Sequence, residues 1–242
     1  MNQDYIVPNN WSIIEEGFEA NRVKSSESLF SIGNGAMGQR ANFEEHYSGD
    51  TFQGSYIAGV YYPDKTKVGW WKNGYPEYFA KVLNAPNWIG INLWVANQEV
   101  DFFTCKVSAF RQELNMQKGF LFRTAEVTLP DGKKIKLEST RFCSLVDTEI
   151  GFIKYNVTPL NFSGELSFEP YVDAYVENKD SNYDEKFWDE VSRTVHPKRG
   201  LVTAKTKKTE FVVTTGMEFW IENNNQEITI SPIELETEKF IS

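Results

Sequence analysis

Residues 119–144 constrain the fold more than any other part of the sequence. Leu121, Val127 and Leu129 share one parity, Ile135 and Leu137 share one on the next segment, and Pro130-Asp131-Gly132 stands between them. A period of two lines up such residues on one face of a strand. Proline presets φ for the first turn position, and glycine takes φ > 0 without steric cost. The pattern predicts an antiparallel hairpin closed by a three-residue loop with a bulge.

The neighbouring segments repeat the theme. Ile153, Tyr155 and Val157 alternate with polar residues up to Pro159, and Leu166 and Phe168 follow the turn at residues 161–164. Residues 88–95 and 99–104 flank Ala96-Asn97-Gln98 as a further hairpin, and residues 201–206, 210–214 and 217–221 continue the series. Strands recurring every 8–12 residues or so, with turn signals between them, are the pattern of a sandwich. Helical signal is confined to two short stretches, residues 77–83 and 183–191. The expected fold is mainly β, a large antiparallel β-sandwich (supersandwich) with one or two short helices, as a single domain over residues 1–242. An aromatic share of 15% fits, since aromatic side chains favour pleated, half-buried surfaces.

Charge removes several function classes. With 34 acidic against 25 basic residues the chain carries a net charge of −9. Nucleic-acid binding depends on lysine and arginine displacing counterions from phosphates, so no nucleic-acid partner is expected. The cluster Lys205, Lys207, Lys208 reads as a solvated strand face. No apolar run approaches the ~20 residues that span a bilayer, and the start Met1-Asn2-Gln3-Asp4-Tyr5 lacks the basic and apolar parts of a signal peptide. The expected location is therefore cytoplasmic, without membrane association. Cys105 and Cys143 have neither disulfide-framework nor metal-ligand spacing and are expected as buried free thiols.

Three motifs bear on chemistry. Gly33-Asn34-Gly35-Ala36-Met37-Gly38 matches G-x-G-x-x-G, but residues 40–50 make a poor crossover helix and the rest is antiparallel, so nucleotide binding is not expected. The glycines fit a tight backbone path instead. Glu44-Glu45 is the only adjacent acid pair in a motif-like setting. On a strand the two would point to opposite faces, and on a helix they would lie ~100° apart, so they would not flank one glycosidic bond. His46 and His196 sit in unrelated contexts, which starves a metal site of nitrogen ligands. No catalytic residue, cofactor or metal site is expected. Trp70-Trp71 and Tyr56, Tyr61, Tyr62, Tyr75 and Tyr78 could stack on sugars or pack in a core or interface.

The segment Glu27-Ser28-Leu29-Phe30-Ser31-Ile32-Gly33-Asn34-Gly35-Ala36-Met37-Gly38-Gln39-Arg40-Ala41-Asn42-Phe43-Glu44-Glu45 resembles the opening signature of glycoside hydrolase family 65. Gly59-Val60-Tyr61-Tyr62, Asn84-Ala85-Pro86-Asn87-Trp88 and Val157-Thr158-Pro159-Leu160-Asn161-Phe162-Ser163-Gly164 continue it, nearest in look to the maltose phosphorylase branch. Ala36 and Ala41 depart from it, standing where an aromatic and a glycine are frequent. The resemblance implies an N-terminal sandwich followed by a helical linker, an (α/α)6 catalytic barrel and a small C-terminal β domain. In such enzymes inorganic phosphate is the co-substrate and an α-glucoside disaccharide the substrate, and the barrel holds the general acid and the phosphate site. The expected role is then a non-catalytic front piece, partnered by its own barrel and, in full-length form, by a second copy in a homodimer. Asn34, Arg40, Glu44, Glu45, Trp70 and Trp71 are the candidate barrel-facing or sugar-proximal residues. Arg40 and the two glutamates could equally form an internal ion-pair network. A free-standing carbohydrate-binding module and the front domain of an α-glucoside hydrolase are the alternative readings.

Overall fold

A computed structural model describes residues 5–67, 74, 76–224, 226–228 and 240–241. The fold is mainly β, a set of antiparallel sheets with one short α-helix among the described residues. The chain forms two compact units, residues 1–54 with 91–168 and residues 55–90 with 169–242.

The first unit is built on a six-stranded antiparallel sheet. Its order is Ile6–Pro8, Ser12–Glu16, Lys106–Asn115, Phe120–Thr128, Lys134–Cys143 and Gly151–Pro159. The central hairpin is the one anticipated from alternation, with Leu121 opposite Arg141 and Val127 opposite Ile135. Leu129 N–H donates to Lys133 O at 2.9 Å, and Gly132 sits at φ 88°, where a side chain would be strained. Ala125, Val127, Ile135 and Leu137 are fully buried and pack with Leu93, Val95, Val100 and Phe102 into one apolar core. Both cysteines are buried free thiols.

The second unit has a three-stranded antiparallel sheet, Trp188–His196, Arg199–Thr206 and Val212–Glu218, and a hairpin of Tyr61–Lys65 with Tyr78–Val82. Its core gathers Tyr62, Leu83, Val172, Phe187, Trp188, Val202 and Ala204.

Several local expectations are corrected. Residues 77–83 hold the strand Tyr78–Val82, not a helix, and residues 183–191 lead into the strand Trp188–His196. Tyr78, Phe79 and Val82 favour the pleated state and find a partner strand, which outweighs the helical leaning of Ala80 and Lys81. The expected strands 210–214 and 217–221 are one strand, Val212–Glu218. Of residues 99–104 only Glu99 lies in a strand and Val100 N–H still donates to Leu93 O at 2.8 Å; beyond them Asp101 captures the local backbone, its carboxylate accepting from Phe103 N–H at 2.9 Å and its carbonyl from Cys105 N–H at 2.9 Å. The one α-helix among the described residues is Val23–Leu29, behind a 3-10 turn at Ala20–Arg22.

Candidate functional site

The glycine signature folds as a β-hairpin. Ile32 pairs with Gln39 and Gly33 with Gly38, and Asn34 N–H donates to Met37 O at 3.0 Å. Gly35 at the tip has φ 92°, which its lack of a side chain permits. No helix opens at Gly38, so the dinucleotide geometry is absent from this segment. Asn34 is the clasp of the loop. Its Oδ1 accepts from Ala36 and Met37 N–H at 3.0 and 2.8 Å, and its Nδ2 donates to Ser144 O and Thr148 O at 2.6 and 2.8 Å. One side chain thus fixes the signature turn to the loop after Cys143.

Arg40 serves the helix. Its Nη2 donates to Ser28 Oγ at 2.6 Å and to Lys24 O at 3.2 Å, and the guanidinium lies 5.2 Å from the Phe52 ring centroid. The downstream loop is tied in by Asn42, whose Oδ1 accepts from Gly54 N–H at 3.1 Å, and by Glu27, which accepts from Phe52 N–H at 2.7 Å.

Glu44 and Glu45 lie inside the first unit, 2% and 4% exposed. Both reach the same guanidinium: Arg123 Nη2 donates to Glu44 Oε2 at 2.6 Å and to Glu45 Oε2 at 2.7 Å. This corrects the expectation that adjacent acids diverge. Residues 44–45 form a bend, so neither the strand nor the helix rule governs their directions. Ser139 Oγ donates to Glu44 Oε1 at 2.7 Å, Tyr155 OH to Glu45 Oε1 at 2.6 Å, and Arg141 Nη2 to Asn42 O at 3.0 Å. Arg141 Nη1 stands 3.7 Å from Glu44. The Arg123 guanidinium is also 4.8 and 5.1 Å from the ring centroids of Phe102 and Phe43, which are stacked on each other.

The electrostatics follow from burial and pairing. Burial pushes the Glu44 carboxyl up, but Arg141, Arg123 and the Ser139 hydrogen bond together hold it below its ordinary value. Burial alone would lower Arg123, and the two carboxylates raise it instead. Arg141, with weaker pairing, is lowered by burial. Tyr155 is raised by burial and by Glu45, so it remains a phenol that donates. The ensemble is two acids and two bases, internally neutralised.

Alternation carried a signal for the partners of these acids. Arg123 shares parity with Leu121 and Val127, and Ser139 and Arg141 share parity with Ile135 and Leu137, so a charge stands on the apolar face of each arm. A charge at such a position needs a buried counter-charge. Trp70 and Trp71 lie outside the described residues. Among the described residues no group of acids, histidines or cysteines is arranged to hold a metal, and no helix is long and apolar enough to cross a membrane.

Residues 13–241 match the sequence profile of the glycosyl hydrolase family 65, N-terminal domain. The chain belongs to this family. It is 44% identical over 211 residues to a maltose phosphorylase of Bacillus subtilis, covering 87% of this chain and 28% of the relative. It is 29% identical over 254 residues to an alpha,alpha-trehalose phosphorylase of Thermoanaerobacter brockii, covering 95% of this chain and 32% of that one. A kojibiose phosphorylase of the same organism is 31% identical over 173 residues, covering 72% of this chain and 21% of its own. The fold matches a solved structure described as a putative kojibiose phosphorylase from human microbiome, with a TM-score of 0.80 at 22% identity over 98% of this chain and 30% of that one. The chain therefore spans less than a third of the curated family 65 relatives it matches.

Proposed function

We propose that this chain is the non-catalytic front domain of a family 65 phosphorylase, bracing the catalytic portion and doing no bond chemistry itself. The observation that carries the reading is the 44% identity to a maltose phosphorylase of which the chain spans only 28%. The geometry supports it. A general acid must hold a proton near neutral pH and reach the leaving oxygen, whereas Glu44 is held below its ordinary value and shares a buried arginine with Glu45.

The parent reaction is inverting phosphorolysis of an α-glucoside such as maltose. Inorganic phosphate attacks the anomeric carbon, the glycosidic bond breaks, and β-glucose 1-phosphate and glucose leave. The general acid and the phosphate site belong to a barrel in the longer chain, which works as a cytoplasmic homodimer. The test is direct: the purified chain is incubated with maltose and phosphate and glucose is followed. No release above blank is the expected result. Turnover that scales with this chain through purification would overturn the reading. Calorimetry with maltose, kojibiose and trehalose separates a sugar-binding module from a brace, with no heat expected for the brace.

A further inference from the structure

The strands Lys134–Cys143 and Gly151–Pro159 are joined by a loop, residues 144–150, that is tightly held yet apolar at its tip. Leu145 is 77% and Val146 89% exposed, and Ile150 follows at 53%. At the base of the loop Phe142 and Phe152 are direct cross-strand partners, their rings stacked at 5.5 Å and each 37% exposed. The backbone between them is fixed. Ser144 N–H donates to Ile150 O at 2.9 Å and Ile150 N–H to Asp147 O at 3.0 Å, while Ser144 Oγ accepts from Val146 and Asp147 N–H at 3.2 and 3.1 Å. Asn34 of the glycine hairpin donates to Ser144 O and Thr148 O, which flank Leu145 and Val146 in the chain.

A loop that only reverses the chain is ordinarily built from polar and turn-forming residues, and exposed apolar side chains at its tip are avoided unless they meet something. Ordering such a loop costs conformational entropy, and leaving Leu145 and Val146 in water recovers none of it by burial. A rigid tip that carries apolar side chains is preorganised for a partner, because its entropy is already lost before contact is made. Asp147, Glu149 and Lys154 are exposed beside it in the chain, and polar side chains of this kind rim the apolar centre of an interface. The asparagine of the glycine signature thus holds an apolar tip in place.

We propose that residues 142–152 are the docking face for the rest of the longer polypeptide, with Leu145 and Val146 at its centre and Asn34 as the positioning residue. The proposal rests on the brace reading above and names where the brace makes contact. The occupant follows from length. The maltose phosphorylase relative is matched over only 28% of its chain, so more than two-thirds of such a polypeptide lies outside this chain and is covalently joined to it. A tethered partner is held at high effective concentration, so a small apolar face suffices where a free partner would need a larger one.

The test is thiol labelling of Val146→Cys, in this chain alone and in the longer phosphorylase polypeptide, read by mass on the peptide that carries it. The nearby Cys143 is buried, and fragmentation of the peptide separates the two thiols. The expected result is fast labelling in this chain and labelling slowed about tenfold or more in the longer polypeptide, where the probe enters only when the contact opens. Equal rates overturn the proposal. So does slowing in this chain alone that grows with its concentration, which would assign the face to a second copy. Leu145→Asp combined with Val146→Asp gives a second readout: the unfolding midpoint of this chain should stay where it is, and that of the longer polypeptide should fall. A fall of the same size in both overturns the docking role. Phosphorolysis measured on the same samples separates this proposal from the reading beneath it. Equal labelling with activity confined to the longer polypeptide strikes this face and leaves the brace, whereas turnover by this chain alone strikes the brace itself.

Discussion

The two units bury polar side chains in contrasting ways. The first encloses a cluster of charged groups, Glu44, Glu45, Arg123 and Arg141, each 5% exposed or less. The second keeps its cations nearer water: Lys208, 40% exposed, reaches Glu185 at 3.0 Å, and Lys81 pairs with the buried Asp64 at 2.7 Å. Beside Asp64, 1% exposed, it also buries neutral contacts. Trp188 Nε1 donates to Asn84 O at 2.8 Å, and Asn84 Oδ1 accepts from Ser55 N–H at 2.9 Å. Tyr62 stacks on Phe187 at 4.1 Å and sends its hydroxyl to Glu185 at 2.6 Å. The difference lies in what each unit loses when one member is removed. A desolvated charge without its partner is far more expensive than an unmatched amide.

The largest effect should therefore come from Arg123→Leu, which leaves Glu44 and Glu45 buried side by side. Breaking a buried pair in this way costs about 3–5 kcal/mol. Urea unfolding should report a loss in that range, and amide exchange should speed up along Phe120–Thr128 and Lys134–Cys143. A loss under about 1 kcal/mol, the scale of a surface pair, would break the comparison. A smaller effect is expected in the second unit. Asn84→Ala removes the acceptor of Ser55 N–H and the donor to Glu177 O. Unmatched neutral groups of this kind cost about 1–3 kcal/mol. A loss as large as that of Arg123→Leu would show that neutral pins matter as much as charges here.

The same contrast marks what could be read from the sequence. The central hairpin was legible because Pro130-Asp131-Gly132 and strict alternation agree. The strand Lys106–Asn115 was not, since a register shift between Ser108 and Arg111, with Ala109 at φ 47°, breaks its period. The helix Val23–Leu29 escaped because its three serines are poor helix formers and no side chain caps its start. At the site, Glu44-Glu45 drew notice as a motif, but their direction depended on a bend that no periodicity rule describes. Their partners lie 78 to 97 residues away and showed only as arginines on an apolar parity. Such a charge announces a buried counter-ion without saying which one.

The smallest expected effect sharpens the point within the first unit, where Glu15 is a buried acid with no guanidinium bonded to it. Burial raises its carboxyl above the ordinary value of 4.5, against weaker pulls from Ser26 and Arg22. A carboxyl raised on folding contributes stability below its unfolded value and loses it as pH rises through the folded value. Glu44, lowered on folding, has the opposite sign: its contribution is present above about 4.5 and is lost as pH falls through the folded value. Glu15→Gln should then stabilise the chain at neutral pH by about 0.5–1 kcal/mol, on the scale of one ordinary hydrogen bond, and the gain should fade toward acid. Glu44→Gln should destabilise at neutral pH, and its penalty should shrink toward acid. Urea midpoints measured for both variants across the acid range test this directly. The curves should converge on the parent protein from opposite sides. Two curves on the same side would mean that burial, and not the presence of a partner, governs the buried acids of this unit.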